Sequence, residues 1–277
     1  MDSGATFVLP AHSRRRGGAV VRSFGTGAPL LLLHGGVGSW THWLRNIGPL
    51  AARFRVHAVD LPGFGDAADV PRGLPAEGYV DLVHAALSPL AEEDGPLHIA
   101  GFSFGGAVGA ALARRLDADC AGFAAIGPGG FGNAPGRSLG LKPAPPADDP
   151  AYAAVIRHNL LAMMIASHEA IDDRTVEIQT ANIARARFDS RKVSLRATFL
   201  DDLAAVAAPV MVIWGDADVV AWPSVADRIA QLRRARPDAR VEIIAGAGHW
   251  TQYERAGHVN AVLLDFFGSI HRPAHSS

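Results

Sequence analysis

Short runs of consecutive apolar residues, most of them ending at glycine or proline, recur along the chain. Because these runs are continuously apolar instead of alternating with polar residues, they predict strands buried on both faces, as in a parallel sheet covered by helices. The runs are 19–24, 29–36, 55–63, 96–103, 120–128, 209–215 and 240–248. Segments with helical spacing, such as 78–93 and 105–116, separate most of them. This alternation predicts an α/β fold with a mostly parallel sheet flanked by helices.

One interval interrupts the alternation, because about 80 residues separate the run that ends near Gly127 from the run that begins at Pro209. The interval opens with the linker-like sequences GPGGFGNAPG and KPAPPADDP and then becomes helical through 150–171 and 173–188. It predicts a helical cap at 130–205, inserted between the later strands of a single core. That core is formed by residues 1–129 and 206–277.

Composition and charge argue against several classes of function. The net charge is −1, with 49% hydrophobic and 19% charged residues, so a nucleic-acid-binding surface is not expected. No apolar stretch approaches the roughly 20 residues that span a bilayer, and residues 1–18 lack the apolar region of a secretory signal. The single cysteine, Cys120, excludes an intrachain disulfide. We therefore expect a cytoplasmic protein with no membrane partner, and homodimer formation stays open.

Three predicted strands end in residues whose chemistry is complementary. Ser103 lies in GFSFGG, Asp216 and Asp218 lie in WGDAD, and His249 lies in GAGHW. Ligands of open α/β sheets bind outside the carboxyl ends of the strands, which places these residues at one edge. A serine hydroxyl becomes a strong nucleophile when an imidazole accepts its proton, and a carboxylate fixes the tautomer of that imidazole. The simpler interpretation of Ser103 is a helix-capping serine in a glycine-rich turn.

Several motifs resemble those of the α/β-hydrolase fold. GFSFGG resembles the nucleophile elbow G-x-S-x-G, HGG at 34–36 resembles the oxyanion loop, and DLPGFG at 60–65 resembles the turn after the next strand. The chain order Ser, Asp, His is also that of the family. The resemblance covers most of the chain outside 130–205. It implies a serine hydrolase that needs a small-molecule substrate but neither a metal nor an organic cofactor.

Carried over to this sequence, the resemblance implies that Ser103 is the nucleophile, His249 the general base and Asp218 the acid of a catalytic triad. Asp216 is the rival acid, and we expect its carboxylate to bond backbone amides in its turn instead. The family's proline usually follows the acid by four residues, whereas Pro223 follows Asp218 by five. The sequence therefore departs from the family pattern in this loop.

The oxyanion hole is expected to consist of backbone N–H groups. The resemblance implies the N–H of Phe104 and that of Gly36, or of Val37 if the turn is shifted by one residue. Such donors stabilise the charge that develops in the transition state. His34, in the same turn, is expected to be structural instead of a second base.

The substrate is less well defined by the sequence. The C-terminal stretch GHWTQYERAGHVNAVLLDFF is similar to that of the meta-cleavage product hydrolases, through GHW, Gln252, Glu254 and Asn260. Against this assignment, GFSFGG lacks the methionine that usually follows the nucleophile of that group, and HGGVGS lacks its GPG turn. We therefore expect a carboxylic ester of a small apolar substrate, with a C–C bond in a dienoic keto acid as the alternative.

The cap is expected to cover the substrate, and its apolar side chains either line the pocket or simply pack the cap on the core. Candidate substrate-binding residues are Trp40, Met163, Met164 and Trp250. Four basic residues lie close together in RARFDSRK, namely Arg185, Arg187, Arg191 and Lys192. Residues two apart on a helix do not share a face, so only part of this cluster can reach a substrate carboxylate, and a solvated face is expected.

Two other classes of function remain as alternatives. The segment from Gly36 to Asp60 imitates a dinucleotide-binding unit, but the third glycine of the motif falls on Thr41, which argues against an NAD-binding oxidoreductase. A ligand receptor built on the hydrolase scaffold is the other alternative, because a fold does not decide a function.

Overall fold

The computed structural model describes residues 12–132 and 138–270 of the chain and contains an eight-stranded sheet. The strands are β1 (His12–Arg16), β2 (Ala19–Phe24), β3 (Ala28–Leu33), β4 (Phe54–Asp60), β5 (Leu97–Phe102), β6 (Cys120–Ile126), β7 (Val210–Gly215) and β8 (Arg240–Ile244). Their order is β1-β2-β4-β3-β5-β6-β7-β8. The strands from β4 to β8 in this order pair in parallel, whereas β2 is antiparallel to both β1 and β4. The predicted α/β architecture is confirmed.

All seven apolar runs form strands, and β3 shows why their hydrophobicity is continuous. Leu31 and Leu33 contribute to the apolar layer on one face of the sheet, while Leu30 and Leu32 contribute to the layer on the other face. All four side chains are fully buried. Because helices cover both faces, alternate residues of a central strand are equally apolar.

Two features of the sheet differ from the expectation. The sequence pattern did not predict β1, because HSRRR is polar and mostly exposed and its pairing with the edge of β2 needs no apolar face. The run that forms β8 was expected to be buried on both faces, but this strand lies at the other edge and is only partly buried.

Eleven helices are present in the described residues. They are α1 (Leu44–Ala51), α2 (Ala76–Leu87), α3 (Pro89–Asp94), α4 (Phe104–Leu116), α5 (Tyr152–Asn159), α6 (Asp173–Ala184), α7 (Arg191–Ser194), α8 (Phe199–Ala204), α9 (Val225–Ala235), α10 (Thr251–Glu254) and α11 (Ala256–Ile270). Short 3-10 turns occupy Trp40–Trp43, Asp117–Asp119 and His168–Ala170, and a π-helical turn occupies Leu160–Met164. Among these helices, none combines the length and apolar character needed to cross a membrane.

The segment between β6 and β7 contains α5 to α8 and contacts both apolar layers. Ile156 and Leu160 join the layer that contains α1 and α11, and Phe188 joins the layer that contains α2 and α4. Phe199 and Leu203, on α8, are fully buried in that second layer. The cap boundaries at 130 and 205 stay a prediction. Residues 133–137 of the expected cap, and 1–11 and 271–277 of the expected core, lie outside the described residues.

Candidate active site

Ser103 lies in the sharp turn between β5 and α4. Its backbone has φ 52° and ψ −112°, a conformation that residues other than glycine rarely adopt. A Cβ atom at Gly105 would lie 2.5 Å from the carbonyl oxygens of both Leu33 and His34, and a Cβ at Gly101 would overlap the carbonyl of Gly105. The glycines of GFSFGG are therefore required by close backbone approach, and the turn leaves the Ser103 side chain half-buried at its tip.

His249 and Asp218 come to Ser103 from the loops that follow β8 and β7. His249 Nε2 lies 2.9 Å from Ser103 Oγ, and His249 Nδ1 lies 2.9 and 3.0 Å from the two carboxylate oxygens of Asp218. Because the carboxylate can only accept hydrogen bonds, Nδ1 carries the proton and Nε2 accepts from the Ser103 hydroxyl. Both His249 and Asp218 are buried. An unbroken hydrogen-bonded chain thus joins a hydroxyl, an imidazole and a carboxylate.

The two aspartates of WGDAD have different partners. Asp218 contacts His249 and also accepts a hydrogen bond of 2.8 Å from the N–H of Val220. Asp216 is exposed, and its Oδ1 accepts from the N–H of Gly246 at 2.8 Å. Asp216 therefore links the loops after β7 and β8, and only Asp218 is in contact with the imidazole.

The turn after β3 lies next to Phe104, the residue that follows Ser103. Val37 has φ 50°, and a Cβ on Gly36 would overlap Ser190 Oγ and lie 3.7 Å from Phe104 Cβ. Gly36 therefore lies close to the start of α4. Phe104 is the first residue of that helix, so its N–H is among those without an intrahelical acceptor. The contact of Ser190 with Gly36 was not anticipated from the sequence, because it depends on how the cap is seated.

His34 is fully buried, and both of its ring nitrogens are used. Its Nδ1 donates to the carbonyl of Gly35 at 2.8 Å, and its Nε2 accepts from the N–H of Leu61 at 3.1 Å. Burial lowers the pKa of His34 and keeps the ring neutral. These contacts are those of a side chain that connects the turns after β3 and β4.

Glu254 is a buried acid for which the motif comparison gave no role. One of its carboxylate oxygens accepts from the N–H of Ser167 at 2.8 Å, and the other accepts from Ala166 at 3.0 Å and Gly248 at 2.8 Å. Glu254 thus ties the segment after the π-helical turn of the cap to the residue that precedes His249. The sequence similarity of GHWTQYE includes Glu254, but its contact with Ser167 joins residues 87 positions apart, and spacing along the chain does not reveal it.

The four candidate substrate-binding residues mostly make packing contacts. Trp40 is half-buried and stacks on Phe24 with ring centroids 6.3 Å apart. Trp250 is fully buried against Tyr253 with centroids 4.0 Å apart. Met164 is buried, whereas Met163 is half-buried. Their assignment to a substrate pocket stays a prediction.

The arginines of RARFDSRK are paired with carboxylates. Arg185 contacts Asp66 at 2.7 Å and Arg187 contacts Asp69 at 2.5 Å, both in the loop after β4. The backbone N–H of Arg187 also donates to the carbonyl of Gly63 at 2.8 Å. Arg191 pairs locally, with Asp189 at 2.8 Å. Instead of forming a purely solvated face, Arg185 and Arg187 connect the cap to the core.

The chain is similar in sequence to several known proteins. The family model described as "Alpha/beta hydrolase family" matches residues 30–261. A dihydrolipoyllysine-residue acetyltransferase component of the acetoin cleaving system of Pseudomonas putida is 32% identical over 269 residues, which cover 90% of this chain and 67% of that protein. A 2-hydroxy-6-oxononadienedioate/2-hydroxy-6-oxononatrienedioate hydrolase of Comamonas testosteroni is 28% identical and covers 88% of this chain and 89% of its own.

A solved structure of similar fold is that of naproxen esterase (carboxylesterase NP) from Bacillus subtilis. It superposes with a TM-score of 0.74 at 20% identity and covers 94% of this chain and 93% of its own. At this identity the likeness concerns the fold alone. The fold is thus shared with a protein of quite different sequence.

Proposed function

Since this chain belongs to the alpha/beta hydrolase family, we propose that it is a serine hydrolase in which Ser103, His249 and Asp218 form the catalytic triad. The observation that carries the proposal is the hydrogen-bonded chain from Ser103 Oγ through His249 to Asp218. Each member comes from a different loop at the same edge of the sheet. A helix-capping serine would not need a buried imidazole and a buried carboxylate behind it.

The proposed reaction begins with attack of Ser103 Oγ on the carbonyl carbon of the substrate. His249 Nε2 accepts the hydroxyl proton as the new C–O bond forms, and Asp218 stabilises the imidazolium. The N–H groups of Phe104 and Gly36 donate hydrogen bonds to the carbonyl oxygen and stabilise the negative charge that develops on it. When the tetrahedral intermediate collapses, the proton passes from His249 to the leaving alcohol, and water later hydrolyses the acyl-enzyme by the same route.

We infer that the preferred substrate is a carboxylic ester with a small apolar acyl or alcohol part. Three of the cap arginines are occupied by Asp66, Asp69 and Asp189, which leaves them engaged instead of ready to bind an acidic substrate. Met163 and Met164, if they line the pocket, offer an adaptable apolar surface. The C–C hydrolase alternative is favoured by the similarity to the Comamonas testosteroni enzyme.

A short panel of p-nitrophenyl esters and one meta-cleavage dienoate, followed by stopped-flow spectroscopy, tests the proposal. We expect a burst of p-nitrophenol and, by mass spectrometry of the quenched protein, an acyl group on Ser103. The Ser103→Ala variant is the matched control and should show neither. A higher kcat/KM for the dienoate than for every ester would establish the C–C alternative, and the absence of an acyl adduct on Ser103 would overturn the nucleophile assignment.

A further inference from the structure

A second buried histidine contacts the turn after β3. His42 belongs to the 3-10 turn Trp40–Trp43 and is fully buried. Its Nδ1 accepts a hydrogen bond of 3.2 Å from the backbone N–H of Gly35. Because an amide N–H can only donate, Nδ1 of His42 carries no proton, and the neutral ring has its proton on Nε2.

The turn from Gly35 to Ser39 is wrapped closely around this ring. A Cβ on Gly38 would overlap His42 Cε1 and lie 2.5 Å from Nδ1, so only glycine fits there. Val37, between Gly36 and Gly38, has φ 50°, which is unfavourable for a β-branched residue. A strained conformation persists only where its surroundings fix it, and the imidazole of His42 supplies one of those constraints.

The cap holds the other side of the same turn. Asn182, on α6, accepts hydrogen bonds from the hydroxyls of Ser39 at 2.7 Å and Thr41 at 3.1 Å. Gln179, one turn earlier on α6, lies beside the His42 ring. Within the described part of the chain, neither Gln179 Oε1 nor His42 Nε2 has a partner at full hydrogen-bond geometry. The two atoms are a complementary acceptor and donor between the cap and the turn.

His42 is also held neutral next to the candidate triad. Burial lowers the pKa of His42 well below its ordinary value, and the nearby His34 and His249 lower it further because they would carry like charge. The Phe102 ring lies between the two imidazoles, with its centroid 5.4 Å from that of His42 and 5.0 Å from that of His249. A neutral His42 therefore adds no positive charge where the His249 imidazolium would form.

From these contacts we propose that His42 is a positioning residue, which fixes the Gly35–Ser39 turn so that its N–H groups point at the developing oxyanion. The inference rests on the proposed hydrolase function. His42 touches no reacting atom in this scheme, and its Nδ1 acts through the N–H of Gly35. Removal of that acceptor should loosen the turn and reduce transition-state stabilisation more than substrate binding.

Two substitutions at His42 separate this role from simple packing. His42→Leu fills much of the same space with an apolar side chain but removes the acceptor. We expect kcat for a p-nitrophenyl ester to fall about 10²-fold to 10³-fold, as when one oxyanion donor is lost, with KM within about threefold of wild type. His42→Asn places its Oδ1 near the position of Nδ1 and should recover most of the lost kcat. His57→Leu is the matched control, because His57 is also buried but bonds Ser23 and pairs with Asp94. That variant should lose stability and keep kcat.

The tautomer gives a readout that does not depend on activity. In wild-type protein labelled with ¹⁵N-histidine, we expect His42 to show a protonated Nε2 and an unprotonated Nδ1 at pH 7. A protonated Nδ1, or a charged ring at this pH, would overturn the inference even if His42→Leu failed to fold. Equal kcat for His42→Leu and wild type would overturn it as well, and so would an Asn variant as impaired as the Leu variant.

Failure of this inference can be told apart from failure of the proposed function. A fluorophosphonate probe reports whether Ser103 is an activated nucleophile in the wild type. If Ser103 is labelled and His42→Leu retains full kcat, only the positioning role is wrong. If Ser103 is not labelled and no ester is hydrolysed, the hydrolase proposal fails and the role of His42 fails with it.

Discussion

The interior of the sheet and the attachment of the cap near the site depend on different kinds of contact. The central strands are buried in continuous apolar layers, as the fully buried residues of β3 and β5 show. In addition to its apolar contacts, the described cap meets the core near the site through polar groups: Asn182 with Ser39, Thr175 with the hydroxyl of Tyr253 at 2.9 Å, and Arg187 with the loop after β4. Apolar burial is insensitive to direction, whereas hydrogen bonds require a defined geometry.

Because of this difference, we expect one set of contacts to determine the stability of the fold and the other to determine the geometry of the site. The apolar layers should carry most of the free energy of folding, because hydrophobic burial is its dominant favourable term. The polar contacts of the cap contribute less to stability but decide where the turn after β3 and the loops around His249 lie. Substitutions in the two regions should therefore differ in what they change.

The largest effect is expected where the core carries the proposed chemistry. Ser103→Ala and His249→Ala should each reduce kcat by on the order of 10⁶-fold, with little change in the urea midpoint, because a nucleophile and its base act as a unit. For the same reason the double variant should be scarcely worse than either single one. Steady-state kinetics on a p-nitrophenyl ester measures this. A Ser103→Ala enzyme with near-native kcat would show that Ser103 is not the nucleophile.

The two aspartates after β7 test which carboxylate is the acid of the proposed triad. Asp218→Asn should reduce kcat by about 10⁴-fold, because an amide beside Nδ1 favours the wrong tautomer of His249. Asp216→Asn, the matched control, breaks only the link to Gly246 and should leave kcat within a few fold of wild type. The reverse ranking of the two variants would assign the acid to Asp216.

A comparison of stability tests the two regions directly. Leu32→Ala, at a fully buried position of β3, should reduce the free energy of unfolding by about 2–5 kcal/mol through lost burial and a cavity. Arg185→Ala, in the cap, breaks an exposed ion pair with Asp66 and should cost less than about 1 kcal/mol. Urea denaturation of both variants measures the contrast. Equal losses would contradict the expected contrast between a buried apolar contact and an exposed ion pair.

Three buried histidines should make the stability depend on pH. Burial lowers the pKa of His34, His42 and His57 below the ordinary value of 6.5. Protons then bind preferentially to the unfolded chain, so the free energy of unfolding is highest above about pH 6.5. It falls as the pH drops from about 6.5 towards the lowered pKa values, by up to about 1.4 kcal/mol per pH unit for each histidine, and levels off below them.

Urea midpoints between pH 7.5 and 5 measure this dependence. His57→Leu, which leaves the proposed site intact, should flatten it by the share of one histidine. A midpoint that rises on acidification would contradict the direction expected for all three groups.

The smallest effect is expected from the cap arginines. Arg185→Ala, Arg187→Ala and Arg191→Ala should each hydrolyse short neutral esters within a few fold of wild type, because these side chains pair with carboxylates of the chain itself. If one of them bound a substrate carboxylate, its loss would cost about 1.5–3 kcal/mol with an acidic dienoate only. Values of kcat/KM for both substrates across the three variants decide this, and a selective loss with the dienoate would favour C–C hydrolysis.

Predictions from the sequence were most successful where they depended on local pattern. Seven strands could be located because central strands of a covered parallel sheet are apolar on both faces, and the turn around Ser103 could be recognised because only glycine permits its close backbone contacts. Edge strand β1 was missed for the complementary reason. An exposed strand that pairs on one side carries no apolar pattern, and HSRRR resembles a loop.

The sequence alone was enough to predict the α/β order of elements and the helical segment between the later strands. It also placed Ser103, the aspartates of WGDAD and His249 at strand ends, because each of these features depends on residue type and short-range spacing. Other contacts could be seen only in three dimensions: Asp218 and not Asp216 contacts His249, His42 accepts from the N–H of Gly35, and Arg185 and Arg187 bind the loop after β4. The contacts of these arginines join residues more than 110 positions apart. Their partners depend on how the cap is oriented on the sheet, and hydropathy and spacing along the chain contain no information about that orientation.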